Sequence, residues 1–193
     1  MISGIVLKSY LPNKAKLTVL SDAGERFDLP SIKSSLIARM HPGYRVCLKT
    51  EDHRGIIKIS QVELLAVPAG RWEKLSLLQQ VIKLSVWGIA VGAAMPAASN
   101  LLNFILNQDT IDWTESRRRL LVCHLLGAMG FIPELAKTNS KQIIRMYQIG
   151  QLPLEVLQVV VIDHEIEQLL IGWINQIDSD WMGSLSVTSM VTV

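Results

Sequence analysis

The chain has 193 residues, 49% of them hydrophobic, with two cysteines and a formal net charge of +2. That length suits one large domain or two small ones with a core needing no staples, and a composition this apolar excludes a disordered chain. Cys47 and Cys123 fall on an expected strand and an expected helix, giving neither a disulfide framework nor a zinc knuckle. No metal or other cofactor is expected, and a reducing cytoplasm is the expected location.

Met1–Tyr10 and Lys14–Ser21 alternate apolar and polar residues, the period-2 mark of strands that bury one face. Leu11-Pro12-Asn13 forms the turn between them. Asp22-Ala23-Gly24 makes a second turn, and Glu25–Leu29 alternates again, completing a three-stranded meander. Ile32, Leu36, Ile37 and Met40 then recur at helical spacing, and His41-Pro42-Gly43 ends that stretch. Tyr44–Thr50 and Gly55–Val67 read as two more strands joined by a charged hairpin tip, Glu51–Arg54. Three strands, a helix and two strands is the order of an OB-fold, a five-stranded barrel that often holds oligonucleotides. The expected fold class is therefore α+β, with an OB-fold barrel over residues 1–67 and an all-helical domain over residues 71–193.

Charge divides unevenly. Residues 1–70 carry ten Lys/Arg against six acids, while residues 71–193 carry nine against eleven. The basic half is the barrel, and only it can attract a phosphate backbone from a distance. Alternation places Leu17 and Val19 inward, leaving Lys14, Lys16 and Thr18 outward, and Val46 and Leu48 inward, leaving Arg45, Cys47 and Lys49 outward. Lys58 joins that outer set from the fifth strand. Lys14, Lys16, Arg45, Lys49 and Lys58 are thus candidate phosphate contacts, with Tyr10 and Tyr44 as candidate stacking platforms at strand ends. The alternative is that these lysines only solubilise the barrel and protect its edges. Phe27, between Arg26 and Asp28, reads as core.

Beyond the linker Pro68-Ala69-Gly70, Leu75, Leu78, Ile82, Val86 and Ile89 form a helical stripe with Glu73, Lys74, Gln79, Gln80 and Lys83 off it. The uncharged stretch Leu84–Ser99 contains Pro96 and falls short of the ~20 apolar residues of a spanning helix, so a covered helix is expected, not a membrane span. A helix Ala97–Asn107 follows. Asp112 and Glu115 resemble a capping box for a helix Thr114–Met129, whose three arginines, Arg117–Arg119, spread around the helix and cannot share one ligand. Cys123 and His124 on that helix lack partners at metal-ligand spacing, and no nucleophile–base or phosphate-loop motif is present. Ile166, Leu169, Leu170, Trp173, Ile174 and Ile177 make the cleanest stripe in the chain; the small, polar tail from Gly183 is expected to fray or to serve as a partner strand.

The basic barrel followed by helices, the opening Gly4–Ser9 (GIVLKS) and the run Arg117–Leu135 (RRRLLVCHLLGAMGFIPEL) together resemble the DNA repair protein RecO. The resemblance lies in the order of these features and spans most of the chain. It implies a non-enzymatic mediator that binds single- and double-stranded DNA, promotes annealing and works with RecR, RecA and single-strand-binding proteins. Many RecO proteins carry a four-cysteine zinc module after the proline turn; Ala136–Ser140 has no cysteine, and the chain is shorter than most. A protein-interaction scaffold without a nucleic-acid role is the alternative, supported by the apolar Leu84–Ser99 stretch and the stripe around Trp173.

Overall fold

The computed structural model describes residues 1–11, 15–109, 111–131 and 140–177. Its chain forms two compact units, Met1–Asp109 and Thr110–Val193.

The first unit holds five antiparallel strands: β1 (Ile2–Tyr10), β2 (Lys16–Ser21), β3 (Arg26–Pro30), β4 (Arg45–His53) and β5 (Ile56–Ala66), in the order β3-β2-β1-β4-β5. Inward side chains of all five build one core of Val6, Leu17, Val19, Leu29, Val46, Leu48 and Ile59, closed by Ile37. Ile37 comes from α1 (Ser34–Ile37), a single turn. The expected helix over Ile32–Met40 is shortened because its first residues serve the sheet: Ser31 forms a parallel bridge with Ile59, and the Ile32 N–H donates to the Ile59 carbonyl at 2.9 Å. That bridge is where the edge strands β3 and β5 meet. The sheet keeps the expected OB-like order and the α+β class, but it is not closed into a cylinder.

The β4–β5 hairpin is longer and tighter than its sequence suggests. Arg54 (φ 57°) and Gly55 (φ 80°) are both left-handed, as a two-residue type I′ turn requires, and the Asp52 carboxylate accepts the Gly55 N–H at 2.7 Å. Glu51, Asp52 and His53, expected in the tip, therefore extend the strand.

The sheet is apolar on both faces. Ile5, Leu7 and Leu20 lie opposite the Val6–Val19 core and are almost fully buried, where β1 packs against α2 (Trp72–Gly88) and α3 (Pro96–Asn107). The composition change at Pro68–Gly70 is thus a change from strand to helix, and the unit boundary falls at Asp109 instead of 67, because two helices are needed to cover this second face. Arg26 fastens α2 to the sheet: its Nη1 donates to the carbonyls of Val86 at 2.6 Å and Ile89 at 2.5 Å, two of the unsatisfied acceptors at the helix end. The following loop adds to the edge of β3 through a Glu25–Ala94 bridge and reciprocal Arg26–Gly92 and Arg26–Ala93 bonds. The Leu84–Ser99 stretch is therefore helix end, a loop bridged to the edge of β3, and helix start in turn. Among the described residues no helix is long and apolar enough to cross a membrane.

The buried face of α2 is Leu77, Leu78, Val81, Ile82, Leu84 and Ser85, rotated from the expected stripe, and it includes Lys74. Only 3% of the Lys74 side chain is exposed; its ammonium donates to the Leu106 carbonyl at the end of α3 (3.2 Å) and pairs with Asp109 (2.6 Å). A lysine off the apolar stripe here ties two helices together.

The second unit is helical: α4 (Glu115–Ala128), α5 (Ser140–Gly150), α6 (Leu154–Leu157) and α7 (His164–Ile177). Thr114, not Asp112, caps α4, accepting the Arg117 N–H. Leu121 and Leu125 of α4, Met146 of α5, Leu157 of α6 and Ile166, Leu170 and Trp173 of α7 are buried. Arg119 pairs with Glu115 and, at 3.2 Å, with Glu167, while Arg117 donates to the Asp112 carbonyl. His124 Nδ1 meets the Gly150 carbonyl, a tie between α4 and α5. Asp163 caps α7, accepting the Ile166 N–H at 2.9 Å; that bond, with Arg145 at 2.9 Å, holds its carboxyl below the ordinary range. The turn at Pro133 and the tail from Gly183 lie outside the described residues.

Gly4 sits where β1 passes β2 too closely for a side chain: a Cβ would collide with the Leu20 carbonyl oxygen and lie 2.8 Å from Ser21 Cα. Gly4→Ala is expected to lower unfolding free energy by about 1–3 kcal/mol, read as a shifted midpoint in urea denaturation with an unchanged slope.

Candidate nucleic-acid interface

Two hairpins approach each other at the β3–β5 seam. Ser31 joins them: its N–H donates to the Ala15 carbonyl at 2.7 Å, at the base of the β1–β2 hairpin, and its partner Ile59 lies at the base of the β4–β5 hairpin. Neighbouring strands lie about 4.8 Å apart, so Ala15 and Ile59 are held within roughly 10 Å of each other.

On the β1–β2 side, Tyr10 pairs with Lys16 across the ladder. Lys8 Nζ stands 4.8 Å and Lys16 Nζ 5.5 Å from the centroid of the Tyr10 ring, both within reach of its π-face. Lys8 is exposed, and Tyr10 is half-buried. Lys16 is also committed to β3, with Nζ 2.7 Å from Asp28 Oδ2, while the buried Thr18 hydroxyl donates to Asp28 Oδ1 at 2.6 Å. Burial pulls the Asp28 carboxyl upward, but Lys16 and Thr18 outweigh it and hold it below the ordinary carboxylate range. On the β4–β5 side, Lys58 faces outward opposite Glu51, and exposed Lys49 lies opposite Gln61. Exposed Lys33 follows the seam directly after Ile32.

The seven candidates separate accordingly. Tyr10 and Lys16 form one cluster with Lys8; Lys58 and Lys49 share the outer face of the neighbouring hairpin. Arg45 is not part of this group, since it pairs with Ile5 at the helix-covered part of the sheet and its guanidinium reaches Asp22 at 3.2 Å. Tyr44 packs against the core of the sheet and makes an edge-on contact with His41 (centroids 5.3 Å apart), so its ring borders the core. Lys14 lies outside the described residues. Lys8 and Lys33 were not singled out from sequence. The signal for Lys8 is its spacing of two from Tyr10, which puts both on one face of a strand.

Among the described residues no group of three His, Cys, Asp or Glu side chains is placed to hold a metal ion. Cys123 is buried, which pushes its thiol far upward and makes it a poor nucleophile. Compared with known proteins, the sequence matches no protein-family model and no curated protein.

Because the Asp28 carboxyl is lowered in the folded state, its stabilisation is present above its unfolded value and lost as pH falls through the folded one. Thermal unfolding followed by circular dichroism between about pH 5 and 2 should show a declining midpoint, with unfolded Asp titrating near 3.9. Asp28→Asn should flatten part of that decline.

Proposed function

We propose that this chain is a non-enzymatic, DNA-binding mediator of recombination and repair resembling RecO, which binds and anneals single-stranded DNA along the β3–β5 seam. The observation that carries this reading is Tyr10 set between Lys8 and Lys16 at the mouth of one hairpin, with Lys33 beside the seam and Lys49 and Lys58 across it. A tyrosine flanked by cations suits a nucleotide: the base stacks on the ring for about 1–3 kcal/mol and the adjoining phosphates meet the ammonium groups. The OB-like strand order supports it, because loops at corresponding positions of that architecture bind oligonucleotides. Duplex DNA would be held more weakly by the same cations through its phosphates alone. Partners of the RecR and single-strand-binding kind belong to the same reading.

A second reading, a protein-interaction scaffold that never touches DNA, is favoured by one observation: Leu64, Leu65 and Val67 stand about half-exposed at the end of β5.

Fluorescence anisotropy with a labelled thymidine oligonucleotide discriminates the two. Between about 50 and 200 mM salt, three phosphate contacts should weaken single-strand binding by roughly tenfold or more. Lys8→Glu with Lys58→Glu should reduce low-salt affinity by about tenfold and flatten the salt slope by about 1.4. No binding by the unaltered protein at low salt would discard the DNA reading.

A further inference from the structure

We propose that the free end of the β4–β5 hairpin is a wedge whose two isoleucines, Ile56 and Ile57, pack against unstacked bases of single-stranded DNA. The inference rests on the DNA-binding reading and assigns it a second, apolar contact.

The core stops at Ile59, which pairs with Thr50. Three further pairs, Glu51–Lys58, Asp52–Ile57 and His53–Ile56, continue the ribbon for roughly 10 Å with no core contact. An unsupported two-stranded ribbon is marginal in water, yet this one is set by the Arg54-Gly55 turn and the Asp52 bond to the Gly55 N–H. It is a shaped projection, and what it projects is aliphatic: Ile56 and Ile57 are each 55% exposed. Consecutive strand residues face opposite sides, so each face of the ribbon carries one isoleucine.

That arrangement decides between partners. A protein groove would call for an apolar patch on one face. One β-branched side chain on each face of a thin ribbon, bracketed by cations, suits a ligand that is apolar at its planes and anionic along its rim, as splayed bases between phosphates are. Lys49, Arg54 and Lys58 make no ion pair among the described residues. Of the two acids nearby, Asp52 is turned to the Gly55 N–H, which leaves three cations against two carboxylates along the ribbon. The ribbon also springs from Ile59, within the seam that Ser31 shares with the Tyr10 cluster, so a strand stacked on Tyr10 runs toward it.

The test compares the full chain with its Ile56→Ser/Ile57→Ser variant, using single-stranded oligonucleotides that contain 2-aminopurine. Both positions are solvent-facing, and an unchanged circular dichroism melting curve verifies the fold. The expected result is an affinity loss of about tenfold with an unchanged salt slope, because no phosphate contact is removed, together with loss of the 2-aminopurine response. If the unaltered protein binds and the variant matches it in affinity and fluorescence, the wedge is overturned while the DNA reading stands. If the unaltered protein fails to bind at low salt, both fall. Isoleucine-dependent binding to phosphatidylserine-containing vesicles with no 2-aminopurine response overturns the wedge in favour of a lipid surface.

Discussion

The arrangement of the first unit depends on one backbone acceptor, the Ile59 carbonyl, which takes the Ile32 N–H and lies within 3.4 Å of the Ser31 hydroxyl. Without it the end of β3 beyond the loop that covers Glu25 and Arg26, and the facing part of β5, would be separate edges with unpaired groups. With it the two edges meet at one point beside the core of Val6, Leu17, Val46 and Ile59, and the ends of the two hairpins come near each other. Because the contact is a bridge and not a ladder, the gap beyond it stays open, and Leu64, whose ladder partner Val46 is fully buried, remains 45% exposed.

Cations in this unit do two kinds of work. Arg26 and Lys74 are structural: each spends its donors on carbonyls at a helix end, where the partial negative charge of the helix favours a cation. Arg45 is held by Asp22. Lys8, Lys33, Lys49 and Lys58 remain for the solvent side, gathered around the seam. Lys16 stands between the two groups, serving Asp28 while keeping its ammonium near the Tyr10 ring. Net charge alone conceals this division, since Arg26, Lys74 and Arg45 are taken up by partners within the fold.

Much of the first unit was legible from alternation. Val6, Leu17, Val19, Val46 and Leu48 face inward as their spacing requires, and the order of strands follows from turns that declare themselves by Gly, Pro and Asp. What alternation concealed was the second buried face. Ile5-Val6-Leu7 and Leu17-Thr18-Val19-Leu20 are runs, not alternations, which is how a strand covered on both sides reads; Thr18, taken alone, looks like a solvent residue and is fully buried beside Asp28. Lys74 carries no local signal, because its burial depends on the end of a helix more than thirty positions away. The candidate site was partly legible for a similar reason: Tyr10 and Lys16 are ladder partners, a short-range relation, whereas the proximity of Lys58 arises from the seam. Arg45 and Tyr44 face where their strand positions dictate, but the ion pair and the core contact that occupy them are tertiary.

The two-sided sheet also bears on what can be detached from this protein. Ending the chain where strand composition gives out, after Val67, would strip Ile5, Leu7 and Leu20 of their cover and leave the Arg26 guanidinium without its helix carbonyls. The smallest piece that keeps its apolar surface out of water runs to Asp109, whose carboxylate pairs with the buried Lys74. As a transferable module the sheet carries its two helices with it.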